Sequence, residues 1–375
     1  MKLEGLKGRL DTAIDAALGK KIVGTVLVVL KDGETIYRRA AGLIDREANL
    51  PMRADAIFRL TSLTKPIVSA AALAMIDAGL LGLDDSVTDY LPYFAPKFDD
   101  KPAVVKVRHL LTHTAGLTYD RAVLAAAGAT PGTTGALIPL EENVRRIGGI
   151  PLNYRPGTEW AYSTAIDVLG CLIATINRST LDETLQRYVT GPLGMPDTRF
   201  GVTDATRLAV PYGDGRPPVR MGDVHQVLEA DGSPGPTFCP SRIFNPLAPQ
   251  SGGSGMAGTA GDFVTFLETI RMGGGAILKP DTVAMASRNQ IGDLPMAGRM
   301  PGERFGYMSG LVHDPVAHRS PQSPGTLRWG GVYGHNWFLD LALGLTVVSM
   351  SNTALEGCNG PYREEIRDAV YGASA

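Results

Sequence analysis

The sequence predicts an α+β fold: an antiparallel sheet flanked by helices, plus an inserted mostly helical domain. Three observations predict it. An alternating, β-branched pair of segments with a tight-turn signal stands near the N-terminus, and strand-like segments return after residue 300. Between them, helical periodicity dominates, broken by loops rich in glycine and proline. The expected organisation is an α/β domain from residues 1–80 and 300–375, a mostly helical domain over 81–299, and an active site between them. A length of 375 residues fits two domains or one large domain with an insert.

Taken in order, Leu3, Leu6, Leu10, Ile14 and Leu18 recur at spacings of three and four and predict an amphipathic helix over 2–18. Residues 24–30 (GTVLVVL) and 34–42 (ETIYRRAAG) flank Lys31-Asp32-Gly33 and read as a β-hairpin with an Asp-Gly turn. A long apolar helix is expected to open near Ser62 and to end close to Gly79. Residues 125–135 and 211–255 read as loops. Strands are expected within 304–313, 327–340 and 343–352, and a final helix over 361–372.

Composition narrows the function classes. The formal net charge is −2, with no basic stripe, which argues against a nucleic-acid partner. Three widely spaced cysteines form no CxxC pair, and their odd number does not suit a disulfide framework. The longest apolar stretches, such as 23–30, are too short to span a bilayer, and the first twenty residues lack a continuous apolar core. The expectation is a cytoplasmic protein with no membrane partner; the oligomeric state is not legible.

The sharpest chemical pattern is Ser62-Leu63-Thr64-Lys65 at a helix start. Residues three apart share a helix face, so the Lys65 amine can reach the Ser62 hydroxyl. A serine hydroxyl becomes a nucleophile when a base takes its proton, and a neutral lysine can be that base. A helix N-terminus also offers free N–H groups to an oxyanion. An N-cap serine followed by a surface lysine would look the same in isolation.

Downstream partners favour chemistry. The segments 58–66 (FRLTSLTKP), 107–119 (VRHLLTHTAGLTY), 154–170 (YRPGTEWAYSTAIDVLG), 252–267 (GGSGMAGTAGDFVTFL) and 329–340 (WGGVYGHNWFLD) stand in the order found in one superfamily. The chain resembles the serine β-lactamase/penicillin-binding protein superfamily, and within it the family VIII carboxylesterases. The resemblance implies a β-lactamase-like fold and a catalytic group of Ser62, Lys65 and Tyr162. Tyr162 heads Tyr-Ser-Thr, a departure from the Tyr-x-Asn or Tyr-x-Ser of many relatives. A phenol, which ordinarily titrates near 10, takes part in proton transfer at neutral pH only beside a cation, a role that falls to Lys65.

Trp329-Gly330-Gly331 stands where β-lactamases carry Lys-Thr-Gly. The resemblance implies a strand lining the site, with the backbone N–H groups of Ser62 and Val332 forming the oxyanion hole. Glycines at 330 and 331 let substrate approach the strand closely. A tryptophan in place of the lysine suits an uncharged ester. Trp329, Gly330, Gly331, Tyr119 and His335 are therefore expected to bind substrate, and Asp167 to support packing or hydrogen bonding.

Other patterns carry no chemistry. His109 and His113 have a zinc-like spacing without the glutamate of H-E-x-x-H, and in the resembled family this segment is structural. Met256 breaks the G-x-S-x-G pattern at 252–256. Tyr307-Met308-Ser309 matches Tyr-x-Ser outside the matching context and reads as structural. No cofactor and no metal are implied. The expected activity is hydrolysis of short-chain esters, a small-molecule substrate, through an acyl-enzyme on Ser62. The alternatives are an acyltransferase, a β-lactamase or D-amino-acid peptidase acting on amides, and a non-catalytic ligand-binding or scaffold protein.

Overall fold

The computed structural model describes residues 4–228 and 234–373. Leu3 of the expected first helix and residues 229–233 of the expected loop lie outside the described residues. The centre of the fold is an eight-stranded sheet. Its strands are β1 (Gly24–Lys31), β2 (Glu34–Asp45), β3 (Leu50–Pro51), β4 (Glu303–Phe305), β5 (Gly310–Val312), β6 (Leu327–Gly331), β7 (His335–Asp340) and β8 (Leu345–Ser351). They lie in the order β4-β5-β6-β7-β8-β1-β2-β3, every neighbour antiparallel. Both ends of the chain therefore meet at the β8–β1 pairing, where Thr25 faces Ser351 and Lys31 faces Leu345. The family fold expected from the sequence is the one observed.

The hairpin β1–β2 turns at Asp32 (φ 52°) and Gly33 (φ 88°). Two successive left-handed residues are what a type I′ turn requires, and its twist matches that of the flanking strands. Five helices frame the sheet and the site: α1 (Leu6–Ala17), α2 (Thr64–Asp77), α3 (Ala165–Asn177), α4 (Ala260–Arg271) and α5 (Pro361–Tyr371). Side chains of alternate residues go to opposite faces of each strand. Leu27, Val29, Phe338, Leu345 and Val347 meet Leu6, Leu10 and Ile14 of α1 and Tyr362, Ile366 and Val370 of α5. The other set, including Val26, Val28, Trp329, Trp337 and Val348, joins the larger core shared with α2, α3 and α4. Helix α4 lies against β1 and β8, although it comes from the middle of the chain.

The sequence reading of 211–255 as loop is corrected in part. Tyr212–Gly213 pairs with Val219–Arg220, and His225–Leu228 pairs with Pro234–Phe238. Runs this short, punctuated by glycine and proline, give no usable period. Among the described residues, no helix is long and apolar enough to cross a membrane. The three cysteines are free.

Leu10 is fully buried between α1 and the sheet face turned away from α2. Leu10→Ala should cost about 2–5 kcal/mol of stability through lost burial and a residual cavity. Urea unfolding checks this, and the folded variant should label at Ser62 with a phosphonate at the wild-type rate.

Candidate active site

Ser62 lies in a 3-10 turn, Thr61–Leu63, that runs directly into α2. The helix proper starts at Thr64, two residues later than the opening expected near Ser62. Thr61 precedes it in a left-handed conformation (φ 44°), a strained state for a β-branched residue that clusters at functional sites. Lys65 follows in the first turn of α2, only 3% exposed. Its amine donates to Gly253 O at 2.7 Å, to Tyr119 Oη at 3.1 Å and to Ser62 Oγ at 3.3 Å. These are three acceptors for the three donors of an ammonium group. Tyr162, from the segment leading into α3, donates to Ser62 Oγ at 2.8 Å. Trp329 on β6 donates from Nε1 to Tyr162 Oη at 3.3 Å. The Lys65 amine also sits 4.7 Å from the centre of the Tyr162 ring and 5.3 Å from that of Tyr119. Serine, amine and phenol thus converge on one oxygen, and the indole closes the network.

A second layer fixes the amine. Asp167, fully buried in the first turn of α3, accepts from the Ser251 hydroxyl and from Gly253 N–H at 3.2 Å. It thereby holds the residue whose carbonyl receives Lys65. Burial pushes the Asp167 carboxyl up, opposed by the charge of Lys65. Burial of the Tyr119 hydroxyl, with Asp167 nearby, pushes that phenol well up, so Tyr119 stays a neutral dipole accepting from Lys65. A Cβ on Gly253 would stand 2.5 Å from the Asp167 carboxylate and 2.9 Å from Tyr119 Oη, so only glycine fits.

The histidines stand outside this network. His335 Nε2 contacts Arg59 O at 2.8 Å, its ring meets Phe58 edge-on, and burial holds its pKa down at about 4. At 1% exposure it lies beneath the strand and does not line the cleft, so the expected substrate contact is corrected. The neighbouring register pair, Gly330 and Asn336, lines the cavity instead. His109 Nδ1 accepts from Lys106 N–H at 3.2 Å and caps its helix, the structural role expected of it. His113 Nδ1 accepts from Ser163 N–H at 3.3 Å, and its ring packs on Tyr162 at 4.8 Å, so it braces the segment that carries the phenol. Tyr307 is buried in the main core, as its structural reading implied.

Gly331 brings β6 against the Ser62 turn: a Cβ there would lie 2.5 Å from Leu60 O and 2.8 Å from Thr61 Oγ1. Val332 follows directly and, with Ser62, Tyr162, Trp329 and Gly330, lines a cavity of about 310 Å³. The tryptophan in place of the lysine does not leave this cleft without a cation. Arg299 lies over the Trp329 ring at 4.4 Å and lines the same cavity, together with Arg328 and Arg363. Nothing at position 329 could have signalled this, because the cation comes from a loop thirty residues upstream. Gly253 has no signature in the sequence either, because a backbone carbonyl leaves no trace in residue type.

A family model described as beta-lactamase matches residues 10–370. The chain belongs to the β-lactamase family. Within the family, it is 45% identical to Esterase EstB of Burkholderia gladioli, over 98% of this chain and 95% of that protein. It is 27% identical to the Lovastatin esterase of Penicillium rubens, over 88% and 89% of the two chains. Among solved β-lactamase-like structures, EstCE1, described as a hydrolase with promiscuous acyltransferase activity, superposes with a TM-score of 0.91. The two share 37% identity over 99% of each chain.

Gly331→Ala should push β6 away from the Ser62 turn at a cost of about 1–3 kcal/mol, the range for overpacking. The expected result is a folded protein whose Ser62 takes up a phosphonate at least ~10-fold more slowly, read by intact-mass kinetics beside a thermal melt. An unchanged labelling rate would contradict this account of the glycine.

Proposed function

We propose that this enzyme hydrolyses short-chain carboxylic esters through an acyl-enzyme on Ser62. The observation that carries the reading is the meeting of Tyr162 Oη at 2.8 Å and Lys65 Nζ at 3.3 Å on one serine oxygen at the wall of a cavity. The 45% identity to a curated esterase supports the ester as the substrate class.

In this reading Ser62 Oγ attacks the ester carbonyl while its proton passes to the Lys65–Tyr162 pair, across the short contact to Tyr162 Oη. The Trp329 indole N–H, which reaches Tyr162 Oη, and the Lys65 amine over the Tyr162 ring favour the phenolate form that takes this proton. The carbonyl oxygen becomes an oxyanion received by the N–H groups of Ser62 and Val332. The pair returns the proton to the departing alcohol. Water then enters and gives a proton to the same pair, the acid leaves, and the pair returns that proton to Ser62 Oγ. Trp329 and Gly330 form the wall along which the substrate lies, Gly331 sets that wall against the Ser62 turn, and Tyr119, expected to touch substrate, acts instead through Lys65.

A second reading follows from EstCE1: an acyl-enzyme can be released by an alcohol as well as by water. Alcohol added to the assay should then produce a new ester at the expense of the acid.

Ser62→Ala should lower ester turnover by several orders of magnitude, as loss of a nucleophile does. A phosphonate should add its mass to the peptide holding Ser62, and a label found elsewhere would sink the mechanism. Lys65→Ala and Tyr162→Phe should each depress kcat strongly, and the double variant should be little worse than either, because the groups act as one unit. Fully additive losses would contradict the shared unit. His335→Gln should cost far less. p-Nitrophenyl butyrate should outrun nitrocefin; the reverse order would favour the amide-cleaving alternative.

A further inference from the structure

The cavity beside Ser62 has a wall that simple ester hydrolysis does not require. Its charged lining residues are Arg299, Arg328 and Arg363. Arg328 is nearly buried and pairs with Glu303 at 3.0 Å. Arg299 approaches the same carboxylate at 3.2 Å, so one glutamate serves two guanidiniums. Arg363 contacts Glu364 at 3.3 Å, a side chain 54% exposed and therefore a weak counter-charge. Burial, with Arg363 and Arg299 nearby and Glu303 opposing, brings Arg328 down to about 10, still cationic at neutral pH. The wall thus carries more positive than negative charge.

The two guanidiniums with accessible surface are Arg299 and Arg363, their side chains 30% and 21% exposed. Arg299 Cζ lies 4.4 Å over the Trp329 indole, whose own N–H reaches Tyr162 Oη. One indole therefore separates the nucleophile's hydrogen-bond network from a stacked guanidinium. Stacking holds the planar fork in place, which reduces the ordering cost of a two-pronged contact with a carboxylate. Asn336 and Asn359, neutral donors, complete that end of the cavity.

We propose that this cleft selects esters that also carry a free carboxylate, separated by a short spacer from the ester carbonyl and received by Arg299 and Arg363. The inference rests on the esterase reading and adds to it the class of substrate. A carboxylate leaving water needs a charged partner, and this wall supplies one that a neutral ester leaves unused. The half-ester of a dicarboxylic acid, or the acyl ester of a hydroxy acid, has the required shape.

The test compares matched pairs: monoethyl against diethyl glutarate, with the carboxylate on the acyl side, and 4-acetoxybenzoate against its methyl ester, with the carboxylate on the alcohol side. In at least one pair, kcat/KM for the acid should exceed that for the neutral ester at least ~10-fold, and the pair that responds tells which side faces the arginines. Added salt should raise KM for the acid and not for its neutral partner. Arg299→Gln and Arg363→Gln should each collapse the ratio of acid to neutral ester, while Arg299→Lys keeps part of it. If Arg299→Gln fails to fold, Arg363→Gln and the salt series still decide. Neutral esters turned over as well as or better than the acids in both pairs would overturn the inference and leave the esterase reading standing. If no ester of either kind is cleaved, the esterase reading fails. Calorimetry with glutarate then decides the pocket: binding lost in Arg299→Gln supports it, and no binding overturns it.

Discussion

The Lys65 amine is the constraint around which the site is arranged. Placing a primary amine at 3% exposure inside a protein is costly unless every donor finds an acceptor. Three segments far apart in sequence supply those acceptors: the Ser62 turn, the Tyr119 hydroxyl and the Gly253 carbonyl. Asp167 then holds Gly253 by its N–H from α3, adding a carboxylate to the same neighbourhood. Because the acceptors come from separate elements, the amine ties α2, α3 and the 251–255 loop into one geometry. The position of the amine beside Ser62 thus depends on residues that never touch the serine.

Much of this was legible in the sequence, for reasons that can be named. The β1–β2 hairpin was legible because Asp32-Gly33 is a local signal for a turn needing two left-handed residues. Ser62 and Lys65 were legible because helical spacing converts three residues of separation into shared space. Tyr162 was different: it meets Ser62 from a hundred residues away, and only the resemblance to a family could place it. His335 shows the limit of that route. The motif containing it was matched correctly, yet alternation along β7 turns its ring toward Phe58 and the Arg59 carbonyl, away from the cleft. A matched motif gives the strand, while pleat and register decide which side chains reach the substrate.

Trp329 illustrates the same point for specificity. Reasoning from position alone, a lysine replaced by an indole removes a charge from the site. In three dimensions the indole is a platform: one edge donates to Tyr162, and its face carries Arg299. The aromatic ring therefore links the Tyr162 hydroxyl to a cation supplied by another segment. The charge is relocated within the cleft by contact between a strand and a distant loop, an arrangement with no one-dimensional signature.

The two faces of the sheet have separable duties. Toward α1 and α5 it is an aliphatic and aromatic seal that contributes stability through burial. Toward α2 it ends at a glycine edge, where Gly331 lets the backbone of β6 touch the Ser62 turn. Close approach of two backbones leaves little freedom for either to relax, and Thr61 is held left-handed at that contact. The rigid seal on one face is what allows such a strained, tightly fitted contact to persist on the other. Truncating a side chain on the first face should therefore loosen the fold without retuning the serine, whereas adding a methyl group at Gly331 should disturb the serine turn as well as the fold.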